Sequence, residues 1–160
     1  MMKNYLNAKA DMDQMKLIQM GARVEQINSK MCYVRFEVDG IDIEYVYNLN
    51  TKNKYFLERI KPYKLPVKEY DTESDIVKII EIDIKQFKNA SKSKNIRSFI
   101  AIAKELNVIL KRFEDLYLYY NVPQTGVDEI LRELKKVQDE ISKAQETSER
   151  VFFDKEPDFL

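Results

Sequence analysis

Apolar and polar positions follow two different rhythms along this chain. From about Asn95 onward the rhythm is helical. Phe99, Ile102, Leu106, Ile109, Phe113, Leu116 and Tyr120 recur at steps of three and four. After a break around Pro123 the spacing resumes through Val127, Ile130, Leu134, Val137, Ile141, Ala144, Ser148 and Val151. Residues so spaced line one side of a helix, and each seam needs something to cover it. The first helix is predicted over 95–120. Ile96, Ile100, Ala103, Leu110 and Tyr117 widen its apolar arc, which implies more than one neighbour. The second is predicted to start at Thr125-Gly126-Val127-Asp128, read as a capping sequence. Its single narrow stripe implies one partner. Joined by so short a break, the two should form an antiparallel helical hairpin. A helix of this length spans about 36 Å and outreaches a small sheet.

Between 22 and 60 the period falls to two. Cys32, Val34, Phe36 and Val38 alternate with Tyr33, Arg35 and Glu37. Ile41, Ile43, Tyr45 and Tyr47 alternate with Asp42, Glu44 and Val46. Asp39-Gly40 sits between these runs. Such a dipeptide predicts a two-residue hairpin turn, because glycine accepts positive φ without steric cost. That loop sets Val38 opposite Ile41, Phe36 opposite Ile43, Arg35 opposite Glu44, and the like charges Glu37 and Asp42 opposite each other. Flanking strands are expected at about 23–27 and 54–60, giving a four-stranded antiparallel meander. Pro62 and Pro66 mark an extended crossing segment after it.

Two further helices complete the pattern. Tyr5, Ala8, Met12 and Met15 repeat at helical spacing, which predicts a helix over 4–20 stopped by Gly21. Thr72-Glu73-Ser74-Asp75 has the chemistry of a helix start, with Ile76, Ile80, Ile84 and Phe87 on the buried side and an end near Asn89. The expected fold is therefore α+β: an N-terminal helix, a four-stranded antiparallel β-meander, then three helices. We read residues 1–160 as one domain with subregions 1–70 and 71–151 and a tail at 152–160.

Composition narrows the functional classes. Basic and acidic residues balance at 27 each, so no overall field draws the chain to nucleic acid or to a membrane surface. The 160 residues include a single cysteine and no histidine. The first excludes an internal disulfide and suits a reducing cytoplasm. The second removes the commonest general base, the commonest metal ligand and the Ser-His and Cys-His nucleophile pairs. No apolar run reaches the length of a membrane span, and residues 1–10 hold no signal-peptide core. The excess of Lys over Arg suggests a low-GC bacterial or phage source.

Site chemistry is correspondingly thin. The acid groups Asp11/Asp13, Asp71/Glu73/Asp75 and Glu81/Asp83 read as solvated surface and helix capping, and three isolated glycines build no phosphate loop. We therefore expect no catalytic residue, no metal site and no cofactor, and read Cys32 as a small core residue. Two surfaces stand out. Lys52, Lys54, Tyr55, Arg59, Lys61 and Lys64 interleave cations with aromatics, a composition able to hold phosphates and stack bases. Val137 and Ile141 on the last seam, with Phe152, Phe153 and Phe159 in the tail, suit contact with a protein partner. The favoured reading is a non-enzymatic protein-protein interaction or regulatory accessory protein, cytoplasmic, with a homodimer through the last helix as one form of that contact. The alternative is a nucleic-acid-associated regulator using segment 52–68.

Overall fold

The computed structural model describes residues 12–25, 30–50 and 52–160. It divides into two units, Met1–Lys30 and Met31–Leu160.

In the first unit, helix α1 occupies 12–19. Gly21 stops it with φ 95°. The Gly21 amide donates to the Ile18 carbonyl at 2.9 Å, and the Ala22 amide donates to the Leu17 carbonyl at 3.0 Å. This is a Schellman ending, which needs the left-handed residue that glycine supplies. The start expected near Asn4, with Tyr5 and Ala8, lies outside the described residues.

The second unit runs β1 (Met31–Val38), β2 (Ile41–Leu49), β3 (Tyr55–Lys61), β4 (Leu65–Tyr70), α2 (Glu73–Ala90), α3 (Ile96–Tyr119) and α4 (Gln124–Thr147). The strands form an antiparallel meander in the order β1-β2-β3-β4. The architecture is the expected α+β one. The first hairpin has the expected turn and register. Asp39 and Gly40 both take positive φ, 50° and 77°. Val38 faces Ile41, Phe36 faces Ile43 and Arg35 faces Glu44.

One strand lies elsewhere than expected. Residues 23–25 form no strand, and 26 and 27 lie outside the described residues. The fourth strand is instead β4, in the segment read as a crossing. Pro66 pairs opposite Glu58 there. Because β4 is an edge strand, the missing amide of proline costs the ladder nothing.

The core is formed where α2 covers one face of the sheet. Val38, Ile43, Tyr45, Tyr47 and Leu57 meet Ile76, Ile80 and Phe87. Thr72 positions the start of α2, its hydroxyl accepting from the Asp75 amide at 3.2 Å. Such a cap satisfies an amide the helix itself leaves open.

Helices α3 and α4 are each 24 residues long, and neither contains a buried residue. The α3 boundaries match the sequence pattern to within one residue. Helix α4 begins earlier than expected. Pro123, at φ −68°, holds the N-cap position, so Thr125 and Gly126 fall inside the first turn and no side chain caps the helix. The fixed φ of proline already suits the entry to a helix. The chain leaves the body through α3 and returns through α4, since the Asn89 side-chain amide donates to the Val151 carbonyl at 3.0 Å. No helix among the described residues is long and apolar enough to cross a membrane.

Candidate functional site

Many of the exposed large apolar side chains of the second unit lie on α3 and α4. Helix α3 meets the body only along its first half, where Ile96, Ile100, Ala103 and Asn107 are half-buried. Asn107 Nδ2 donates to the Lys64 carbonyl at 3.2 Å, and the Phe99 ring meets Tyr63 edge-on. Ile96, Ile100, Ala103 and Asn107 lie beside the seam, which is itself open from its start, with Phe99 44% and Ile102 62% exposed. Leu106, Ile109 and Phe113 are exposed on α3, as are Leu134, Val137 and Ile141 on α4. Around the turn, Leu118, Tyr119 and Tyr120 are each at least 70% exposed. Leu116 to Tyr120 cover every side of the last turn of α3 with apolar or aromatic groups. A helix segment of that kind is normally covered on all sides. The charges on α4 satisfy one another along the helix, through Lys135–Asp139, Lys136–Glu133 and Lys143–Glu140. They leave the apolar stripe free of ionic competition.

The tail divides its expected contacts. Phe152 is half-buried, while Phe153 and Phe159 are exposed. Arg150 gathers the segment, donating to both carboxylate oxygens of Glu156 at 2.8 and 2.9 Å and lying over the Phe153 ring. Val137 and Ile141 are thus open to a partner, as are two of the three aromatic residues in the tail.

The basic segment does not converge on one face. Arg59 is 95% buried, with Nη1 bonded to both oxygens of Asp83 at 2.8 Å and the guanidinium against the Tyr63 and Phe87 rings. Lys61 lies 3.0 Å from Glu44 and Lys54 lies 3.1 Å from Asp71. Lys52 and Lys64 are exposed in the turns flanking β3. Tyr55 is half-buried against Tyr47. Its alternation with Leu57 and Arg59 places all three on the α2 side of the sheet, whereas Lys54 and Lys61 reach other neighbours. The reason Arg59 turns inward is Asp83, which lies 24 residues away on a different element. The sequence held one sign of this: Arg59 is in phase with the core residue Leu57.

Arg59 also borders a cavity of about 300 Å³ between α2 and the start of α3, walled by Tyr63, Phe87 and Phe99 with Gln86 at its edge. The polar groups there neutralise each other. Asp83 takes Arg59 and also accepts from the Tyr45 hydroxyl at 2.5 Å. Burial, reinforced by the Asp83 charge, raises the Tyr45 hydroxyl far above its ordinary pKa, so it stays a proton donor to Asp83. Arg59 Nε has no acceptor among the described residues. The cluster therefore pins α2 to the sheet.

On the opposite sheet face, Glu44 is buried beneath Tyr33, Arg35 and Lys61. The Tyr33 hydroxyl and Lys61 hold its carboxyl below the usual carboxylate pKa. Lys61 also lies 3.9 Å from Asp42, which relieves the like-charge pairing of Asp42 with Glu37. These contacts satisfy Glu44, while Tyr33, Arg35 and Lys61 remain exposed above it. Among the described residues no three His, Cys, Asp or Glu side chains group as metal ligands. No protein-family model matches the chain, and neither the curated proteins nor the solved structures contain a match to it.

Proposed function

We propose that this is a non-enzymatic, cytoplasmic interaction protein of bacterial or phage origin, acting through the arm formed by α3 and α4. The observation that carries this reading is the open seam: two 24-residue amphipathic helices that bury none of their own residues. Exposed apolar surface of this extent marks contact sites in soluble proteins. The sheet supports the assignment by contrast, since α2 covers its inner face and charged side chains gather around Glu44 on its outer face. The partner is another polypeptide with an apolar helical surface, and a second copy of the chain meets that description as a homodimer.

The test compares two baits, the wild-type chain and a Val137→Glu/Ile141→Glu variant, each immobilised at equal density. Both positions lie outside the core, so the circular dichroism spectra should coincide. Polypeptides retained by the wild type and lost by the variant are expected. Identical retention by both baits rejects the arm as the contact surface.

A further inference from the structure

We infer that the occupant of the open seam is a second copy of this chain, with the α3–α4 arms of two molecules closing into a four-helix bundle. This rests on the reading of the arm as a contact surface and adds the identity of what covers it. The observation is a third uncharged position in every heptad. If Phe99 and Val127 are numbered as position a, the seam residues fall at a and d of three consecutive heptads on each helix. Position e is then Ala103, Leu110 and Tyr117 on α3, and Leu131, Gln138 and Gln145 on α4. None of the six is charged. Every Lys, Arg, Asp and Glu of both helices lies at b, c, f or g.

The size of that face discriminates between occupants. A pair of helices needs only a and d covered, whereas a helix in a bundle shows an uncharged face of three positions per heptad. Within the second unit, α2 already has its apolar side committed to the sheet. Among the described residues of the second unit no further helix is left to fill positions such as Leu110 and Leu131, which are 66% and 59% exposed. A second arm supplies two. Area and charge agree. Two 24-residue seams, each about 36 Å long and roughly 10 Å wide, together offer on the order of 700 Å² per molecule. Paired, this exceeds the roughly 1,000 Å² total that a specific interface requires. The chain is neutral overall, with 27 charges of each sign, so two copies approach without net repulsion. Bundles of this kind pack seams at shallow crossing angles and are built readily from two hairpins.

The experiment is light scattering coupled to size exclusion across a hundredfold dilution, with the wild-type chain and a Leu110→Glu/Leu131→Glu variant. These e positions are exposed in the single chain, so the variant should keep its circular dichroism spectrum. The expected wild-type mass is twice 19.1 kDa. The variant should be monomeric, its dissociation constant raised by at least ~100-fold, because carboxylates would enter a dry interface. A wild-type monomer at every concentration overturns the proposal, as does a trimer or a dimer indifferent to the two substitutions. The broader reading has a separate test. A monomer that still retains a different polypeptide through Val137 and Ile141 leaves the arm a contact surface. If it retains none, both fail.

Discussion

Ile76, Ile80 and Phe87 of α2 are buried, whereas Leu134, Val137 and Ile141 of α4 are each nearly half exposed. Both sets lie on amphipathic helices at spacings of three, four or seven. Helix α2 lies on a sheet that offers Val38, Ile43, Tyr45, Tyr47 and Leu57 on one face, and the eight residues form one core. Helix α4 crosses no such face. Amphipathicity thus states that a surface requires cover, while topology decides whether the same chain supplies it. The body has used its apolar surface for stability, and the arm keeps its own available.

The contrast breaks most sharply at the Arg59–Asp83 ion pair. Asp83→Ala removes the partner of Arg59, whose side chain is 6% exposed, and strands a guanidinium beneath α2. Losing one member of a buried pair costs about 3–5 kcal/mol, because the remaining charge is left uncompensated. We expect urea unfolding of the variant at neutral pH to show a loss of that size. A loss under ~1 kcal/mol would mean that α2 is not fastened to the sheet at this point.

Next in size is a matched pair of truncations. Leu57 is fully buried, and Leu57→Ala should cost about 3 kcal/mol through lost burial and the cavity left behind. Ile141→Ala on the arm should cost less than ~1 kcal/mol in dilute solution, where little of that side chain is removed from water. The same variant should become more costly as protein concentration rises if the arm finds a partner copy, since association stabilises by mass action. Equal costs for the two truncations at low concentration would erase the distinction between body and arm.

The sequence made local features legible and long-range pairing much less so. Asp39-Gly40 set the register of the first hairpin, Thr72 marked the start of α2, and Gly21 marked the end of α1, because each acts within a few residues. Strand β4 was missed for a physical reason. It is an edge strand whose residues Leu65 to Glu69 are all exposed, so no alternation of buried and open positions is written into it. Pro66 then pointed away from a strand. The fate of Arg59 depended on Asp83, and nothing in a basic, tyrosine-rich stretch reveals a counter-charge on a helix 24 residues later. The open seams were visible from the start. What the pattern could not say was that α3 and α4 would bury none of their own residues.

The smallest expected effect concerns Glu44 on the outer face of the sheet and depends on pH. Glu44 accepts from Tyr33 and pairs with Lys61 and Arg35, which favours its charged form and lowers its folded-state pKa below the ordinary value near 4.5. A carboxylate depressed on folding stabilises the folded state above its unfolded pKa. That stabilisation is lost as pH falls through the lower, folded-state value. The wild type should therefore lose this contribution on acidification below about pH 4.5, whereas Glu44→Gln lacks the titrating group and should lose less over the same interval. Urea midpoints at pH 6 and pH 3 give the comparison. The difference between the two proteins should be largest at pH 6 and shrink at pH 3. If instead it grows towards pH 3, Glu44 is not held as the anion by its neighbours.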